Sequence, residues 1–324
     1  MAHVNRDDRR GQLMIVMSLV LAVMLVAMAL YLNTAIFTEN LATRKGDIAG
    51  AGGAASYKFA VVDGASSAMT YANYNNNSSS YQDLEDRFEA DVANWSDATR
   101  RLESARARSA NVSVSEIHEG VRINQSENRS FTNESDVEDW TLADGVDGVR
   151  NFRMNVTADE LGDSWPGNAP HDDPRFSVTF DDGSTVRELQ VYGNHSTDNV
   201  HVTVLDGAGN KLGTSCTVTN REYATVNVTG ATLAGQDCEA MEFFDDLSRP
   251  YDVYYRNGSY NVGTYELVVN QSYGTFGANV GHHYAVGDSP YYTRALYSAD
   301  LEVTYRTARI DYVTVVQIAP GEQE

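Results

Sequence analysis

The chain has 324 residues, 45 Asp and Glu against 24 Lys and Arg, a formal net charge of -21 and a pI of about 4.6. That balance argues against nucleic acid or anionic lipid headgroups as partners of a basic patch, because no cluster of cations with interleaved aromatics is present to displace their counterions. The basic residues are nearly all arginine, with Lys45, Lys58 and Lys211 the only lysines, and such a chain suits very high salt, where screening to ~3 Å makes self-repulsion tolerable.

The first element is an apolar run, Leu13 to Leu32, without charge, Gly or Pro. At ~1.5 Å per helical residue it matches the ~30 Å hydrocarbon core of a bilayer. Its one polar residue before Tyr31 is Ser18, whose hydroxyl can bond back to its own helix, so the polar face of a soluble core helix is missing. A removable secretory signal would be shorter and would end at a small-x-small site; this run passes through Tyr31, Leu32 and Asn33 without one. Arg6, Arg9 and Arg10 precede the run, and Arg44 and Lys45 follow it. Counting cations, the N-terminus is expected in the cytoplasm and the rest outside. The reading is therefore residues 1–12 as a cytoplasmic leader and 13–37 as a single transmembrane helix. Roughly 280 of the 324 residues lie beyond it, enough for one large or two modest domains.

Residues 38–110 read as an exterior helical stalk. Thr34 to Met69 has no proline, and each of Gly46, Gly50, Gly52 and Gly53 weakens a helix there by up to ~1 kcal/mol relative to Ala, so a kink or break is expected near Gly52-Gly53. Asn73 to Ser80 is a polar linker by composition. From Tyr81 to Arg108, Leu84, Phe88, Val92, Trp95, Thr99 or Ala98, and Leu102 recur every three or four residues, with acids early and arginines late, as a helix dipole favours.

Residues 111–324 change to a period of two and read as an antiparallel β-sandwich head. Val112, Val114 and Ile117; Phe152, Met154 and Val156; Phe176, Val178 and Phe180; Leu189 and Val191; Val200, Val202 and Val204; Val226 and Val228; Val253 and Tyr255; and Tyr265, Leu267 and Val269 alternate with polar residues. Asp181-Asp182-Gly183, Asp206 to Asn210 and Asn257-Gly258 have turn chemistry. Leu296 to Ile318 reads as one strand bent near Thr307-Ala308, or two. The expected fold class is thus a transmembrane helix plus an α+β exterior region, a helical stalk followed by an antiparallel sandwich.

Cys216 and Cys238 are the only cysteines. In an oxidising exterior they are expected to be bridged, which adds ~3 kcal/mol in the chain-entropy model; they are too few for a thiolate zinc site. Sequons place candidate glycosylation at Asn77, Asn94, Asn111, Asn124, Asn128, Asn133, Asn155, Asn194, Asn227, Asn257 and Asn270, all after the apolar run. No G-x-S-x-G, H-E-x-x-H, phosphate loop or dinucleotide fingerprint occurs, so no catalytic residue, cofactor or metal ligand set is assigned. His282-His283 and the pairs Asp172-Asp173, Asp181-Asp182 and Asp245-Asp246 lack fixed metal-ligand spacing and read as solvated loops and turns. Tyrosine is abundant, 19 in all; in a sheet it serves equally as core, as cross-strand packing and as a platform for sugars.

Arg10-Gly11-Gln12 followed by Leu13-Met14-Ile15-Val16 resembles the class III signal of archaeal type IV pilins and related surface proteins. The resemblance implies cleavage after Gly11 by a prepilin peptidase, Gln12 as the new N-terminus, and sibling pilin-like subunits as partners. Many pilins carry Glu at the fifth mature position, where this chain has Val16. Arg10 to Arg44 also resembles uncharacterised haloarchaeal single-span surface proteins. The expected function is a non-enzymatic, membrane-anchored cell-surface protein, in contact with the lipid bilayer, whose head serves adhesion to a surface glycan or surface assembly. The alternative is a signal-anchored extracellular carbohydrate-active enzyme; two carboxylates about 5–9.5 Å apart in a cleft would favour it.

Overall fold

The computed structural model describes residues 49–74, 80–162, 175–194, 198–219, 221–279 and 289–321. The apolar run at 13–37 and the leader lie outside them; among the described residues no helix is long and apolar enough to cross a membrane. What is described is mostly antiparallel sheet with few helices.

Helix α1 (Ala49–Tyr74) runs without a break through Gly52-Gly53, contrary to the kink expected there. Tertiary packing outweighs the propensity cost: a Cβ on Gly53 would stand 2.7 Å from the Tyr305 hydroxyl, and one on Gly64 3.2 Å from the Trp95 indole nitrogen. Glycine thus lets the helix lie close to its neighbours. Its buried stripe, Ala54, Tyr57, Val61, Ala65, Met69 and Ala72, recurs every three or four residues. Helix α2 (Tyr81–Ser104) starts at Ser80, whose hydroxyl accepts from the Asp83 N–H at 3.3 Å. Leu84, Phe88 and Val92 are buried as expected, but Leu102 is 65% exposed. The helix ends before Arg108 because the chain turns through Ala107 at φ 56°, the Arg106 and Arg108 N–H groups both donating to the Glu103 carbonyl.

The strands are β1 (Ser109–Ser130), β2 (Trp140–Val146), β3 (Val149–Thr157), β4 (Phe176–Asp181), β5 (Val186–Asn194), β6 (Asn199–Asp206), β7 (Lys211–Val218), β8 (Tyr223–Asn227), β9 (Thr232–Leu233), β10 (Gln236–Asp237), β11 (Tyr251–Arg256), β12 (Val262–Val269), β13 (Tyr291–Arg306) and β14 (Asp311–Ile318), with the short helix α3 (Tyr273–Asn279) after β12. An eight-stranded sheet has the order β10-β9-β8-β3-β12-β1-β13-β14, and a six-stranded sheet β2-β11-β4-β5-β6-β7. The two face each other across a core of Phe152, Met154, Tyr265 and Leu267 from one and Phe176, Phe180, Val202 and Tyr255 from the other. Tyr255 meets Tyr265 edge-on at 5.2 Å, and Phe131 lies 4.9 Å from Tyr265 and 5.1 Å from Phe176. Each such ring contributes roughly 1.5–3 kcal/mol by leaving water. The last expected tract resolves into two strands, closed by a turn in which the Thr307 N–H donates to the Ile310 carbonyl at 2.8 Å.

The larger sheet overhangs the sandwich. There β1, β13 and β14 continue as a three-stranded ribbon, and α1 and α2 pack on it through a second core containing Val61, Met69, Phe88, Val112, Leu301 and Tyr305. The far end of α1 is fixed by Asn73, whose amide donates to the Leu296 carbonyl at 2.9 Å and accepts from the Leu296 N–H at 2.8 Å. The disulfide Cys216–Cys238 is present, with Cα atoms 5.8 Å apart. It joins β7, an edge of the smaller sheet, to the residue just past β10, an edge of the larger one. The bridge therefore staples the two sheets at one side of the sandwich.

Candidate functional site

On the outer face of the larger sheet, β1, β12, β3 and β8 carry a polar groove of about 420 Å³, lined by Asn124, Arg153, Asn155, Thr225, Thr264 and Glu266 among others. Strand alternation explains the composition: Met154, Val156, Tyr265 and Val226 point inward, which leaves their neighbours Arg153, Asn155, Thr264, Glu266 and Thr225 outward. A cross-strand row of hydrogen bonds orders the floor. Thr225 Oγ1 donates to Asn155 Oδ1 at 2.7 Å, and Asn155 Nδ2 donates to Thr264 Oγ1 at 3.3 Å. Asn124 Nδ2 donates to the Tyr291 hydroxyl at 3.0 Å on the next strand. At the opposite side Tyr223, two residues along β8 from Thr225, is 57% exposed on the same face.

Glu266 is the carboxylate of this lining. It pairs with Arg122 at 3.1 Å and accepts from the Tyr74 hydroxyl, while the Arg122 guanidinium lies 4.4 Å from the centre of the Tyr74 ring. Burial, followed by the hydrogen bond to Glu266, pushes Tyr74 up to about 12. These three groups tie the end of α1 to the groove wall. The groove offers amides, hydroxyls, one cation and one anion around an aromatic border, a set that matches a ligand bearing many hydroxyls.

The remaining sequence-derived candidates fall elsewhere. Arg10, Gly11, Gln12, Asn77, Asp172-Asp173 and His282-His283 lie outside the described residues, as does the side chain of Asn194. Asn94, Asn111 and Asn128 are exposed, whereas Asn124 and Asn133 are buried. The amide nitrogen that glycosylation uses is engaged on Asn124, on Asn155 and on Asn257, the last donating to the Arg175 carbonyl at 2.9 Å. Asn227 and Asn270 are half-buried, Asn227 accepting from the Gly230 N–H through Oδ1 at 3.1 Å. Asp181 and Asp182 cap their own turn: Asp182 Oδ1 accepts from the Ser184 and Thr185 N–H groups, and Oδ2 from the Ser248 N–H at 2.7 Å. These bonds, that of the Ser184 hydroxyl first, hold its carboxyl well below the usual range. Asp246 pairs with Arg187 at 3.0 Å. Of the tyrosines, Tyr251, Tyr255, Tyr265, Tyr297 and Tyr305 are core residues.

Sequence reasoning passed over Thr225, Thr264, Arg153 and Glu266. Their signal was present only as the polar phase of strands recognised by their apolar phase. Residues 7–139 match the model of a family of unknown function, DUF7261. The matched stretch holds Arg10-Gly11, the apolar run, both long helices and β1, and stops just before β2. No curated protein and no solved structure matches the chain.

Proposed function

We propose that the chain is a membrane-anchored cell-surface protein, pilin-like at its N-terminus, whose sandwich presents the outer groove to a hydroxyl-rich ligand such as a surface glycan. The run Leu13–Leu32 supplies the anchor, the bilayer being its first partner, and Arg10-Gly11 the site at which a prepilin peptidase removes the leader. Helix α1, following the anchor within twenty residues, passes its restraint directly to the sandwich through Asn73, Tyr74 and the core around Tyr305. The acidic surface and the exterior disulfide suit a saline, oxidising location.

The observation that carries the binding reading is the Thr225, Asn155, Thr264 row with Tyr223 and Tyr291 at its two sides. Sugars present hydroxyls that both donate and accept, and a flat aromatic border adds stacking on C–H faces. Glu266 alone, paired to Arg122, supports recognition rather than a two-carboxylate hydrolysis. Titration of the full-length chain with polysaccharide from the native cell surface tests this. Saturable binding that falls at least tenfold in the Asn155→Ala, Thr225→Ala double variant is expected. Binding unchanged in that variant, or absent from the wild-type chain, would overturn the glycan assignment.

A further inference from the structure

Away from this groove, Glu116, His118 and Asp300 come together on the ribbon formed by β1 and β13, with their donor atoms all within 4.8 Å of one another. Glu116 and His118 are two apart on β1 and so share a face; Asp300 is the register partner of Glu116 on β13. The strand ladder is interrupted on both sides of the cluster, between Val114 and Glu116 and between His118 and Glu119. Bulges of this kind re-aim side chains. The opposite face of the same strands, Ile117, Ala299 and Leu301, packs on the helices, so the backbone under the three donors is held from below.

We propose that Glu116, His118 and Asp300 bind one divalent transition-metal ion of the zinc type. Two carboxylate oxygens and an imidazole nitrogen are the donor set such ions take, whereas calcium and magnesium prefer oxygen alone. Among the described residues no Lys or Arg forms an ion pair with either carboxylate, so neither donor is already engaged by a cation. His118 separates this cluster from the many acidic pairs that a chain of net charge -21 carries. Tetrahedral donors bound at ~2.1 Å lie ~3.4 Å apart, so the three must close by up to ~1.4 Å, a distance within reach of side-chain rotation. Three protein donors leave a coordination position open to solvent, since Glu116 is exposed and the other two are half-buried. The ion would cross-link β1 to β13 where their ladder is broken, and so stiffen the ribbon that carries α1 and α2.

Isothermal titration of the metal-stripped full-length chain with ZnCl2 tests the site, alongside titrations of His118→Ala, Asp300→Asn and Glu116→Gln. One zinc per chain is expected, with at least a tenfold loss of affinity in each of the three variants and none in the control Asp245→Asn, Asp246→Asn. A rise in the thermal midpoint on adding zinc to the wild-type chain, absent in His118→Ala, is the accompanying readout. Zinc binding that survives all three substitutions, or a wild-type chain that takes up no zinc at micromolar concentration, would overturn the assignment.

Discussion

Asn73 and Leu296, 223 residues apart, close a two-bond ring in which one side-chain amide satisfies both the N–H and the C=O of an otherwise unpaired stretch of strand edge. β14 ends at Ile318 opposite Ala299, so at Leu296 β13 is paired with β1 on one side only, and on the other side the helix supplies an amide in place of the missing peptide. Arg150, fully buried, adds a bond to the Leu296 carbonyl at 2.6 Å and one to the Pro320 carbonyl at 2.8 Å. Replacing Asn73 by Ala orphans the Leu296 N–H, while Arg150 still bonds its carbonyl, at a cost of about 1–3 kcal/mol. Chemical denaturation should show that loss, and amide exchange should accelerate in α1 before it does in the sandwich.

The disulfide makes a separate contribution. Cys216→Ser with Cys238→Ser should lower stability by about 3 kcal/mol, because the bridge restrains the unfolded chain and staples two sheet edges. Guanidinium titration of the double variant against the oxidised parent measures it; equal midpoints would show that the staple is dispensable.

Asp144 and Asp252 face each other across β2 and β11, and burial, then the hydrogen bond and charge of Asp252, raise the Asp144 carboxyl above its ordinary value of 3.8. A carboxyl raised on folding contributes stability at pH below its unfolded value and loses that contribution as pH climbs through the folded one. Asp144→Asn keeps the neutral form at every pH. It should stabilise the protein slightly at neutral pH, the effect being damped by solvent exposure, and the gain should vanish in acid. Thermal midpoints of the two proteins across pH 3–7 provide the check.

Glycan occupancy should follow the amide nitrogens rather than the sequons. Asn94, Asn111 and Asn128 are exposed, whereas Asn133 is buried and Asn124, Asn155 and Asn257 commit Nδ2 internally. Glycopeptide mapping of protein from native cells should find sugar on the first group and none on the second.

The apolar phase of most strands was readable because period two is a local property: Phe152, Met154 and Val156 or Val200, Val202 and Val204 face the core as spaced. β7 was missed because Lys211 to Val218 is an edge strand rich in Gly, Thr and Ser, with little apolar signal to alternate. β1 is legible only as far as Ile117, because the register shifts on either side of Glu116 to His118 break the period of two before Val121 and Ile123 resume it. The helix break at Gly52-Gly53 failed because propensity is local while the contact of Gly53 with Tyr305 spans most of the chain. Both sites are products of pairing. Asn155 meets Thr225 and Thr264, and Glu116 meets Asp300, only once the strands are in register.

In the proposed reading a leader and an anchor set where the sandwich stands, and an intact-mass measurement of the chain extracted from membranes of cells with an active prepilin peptidase tests that reading most directly. The expected mass lacks residues 1–11 and begins at Gln12, while Gly11→Val, which places a branched side chain where the peptidase must approach the backbone, remains full-length and still membrane-bound. A wild-type chain that keeps Met1 or Ala2 as its N-terminus in those cells would contradict the pilin-like account.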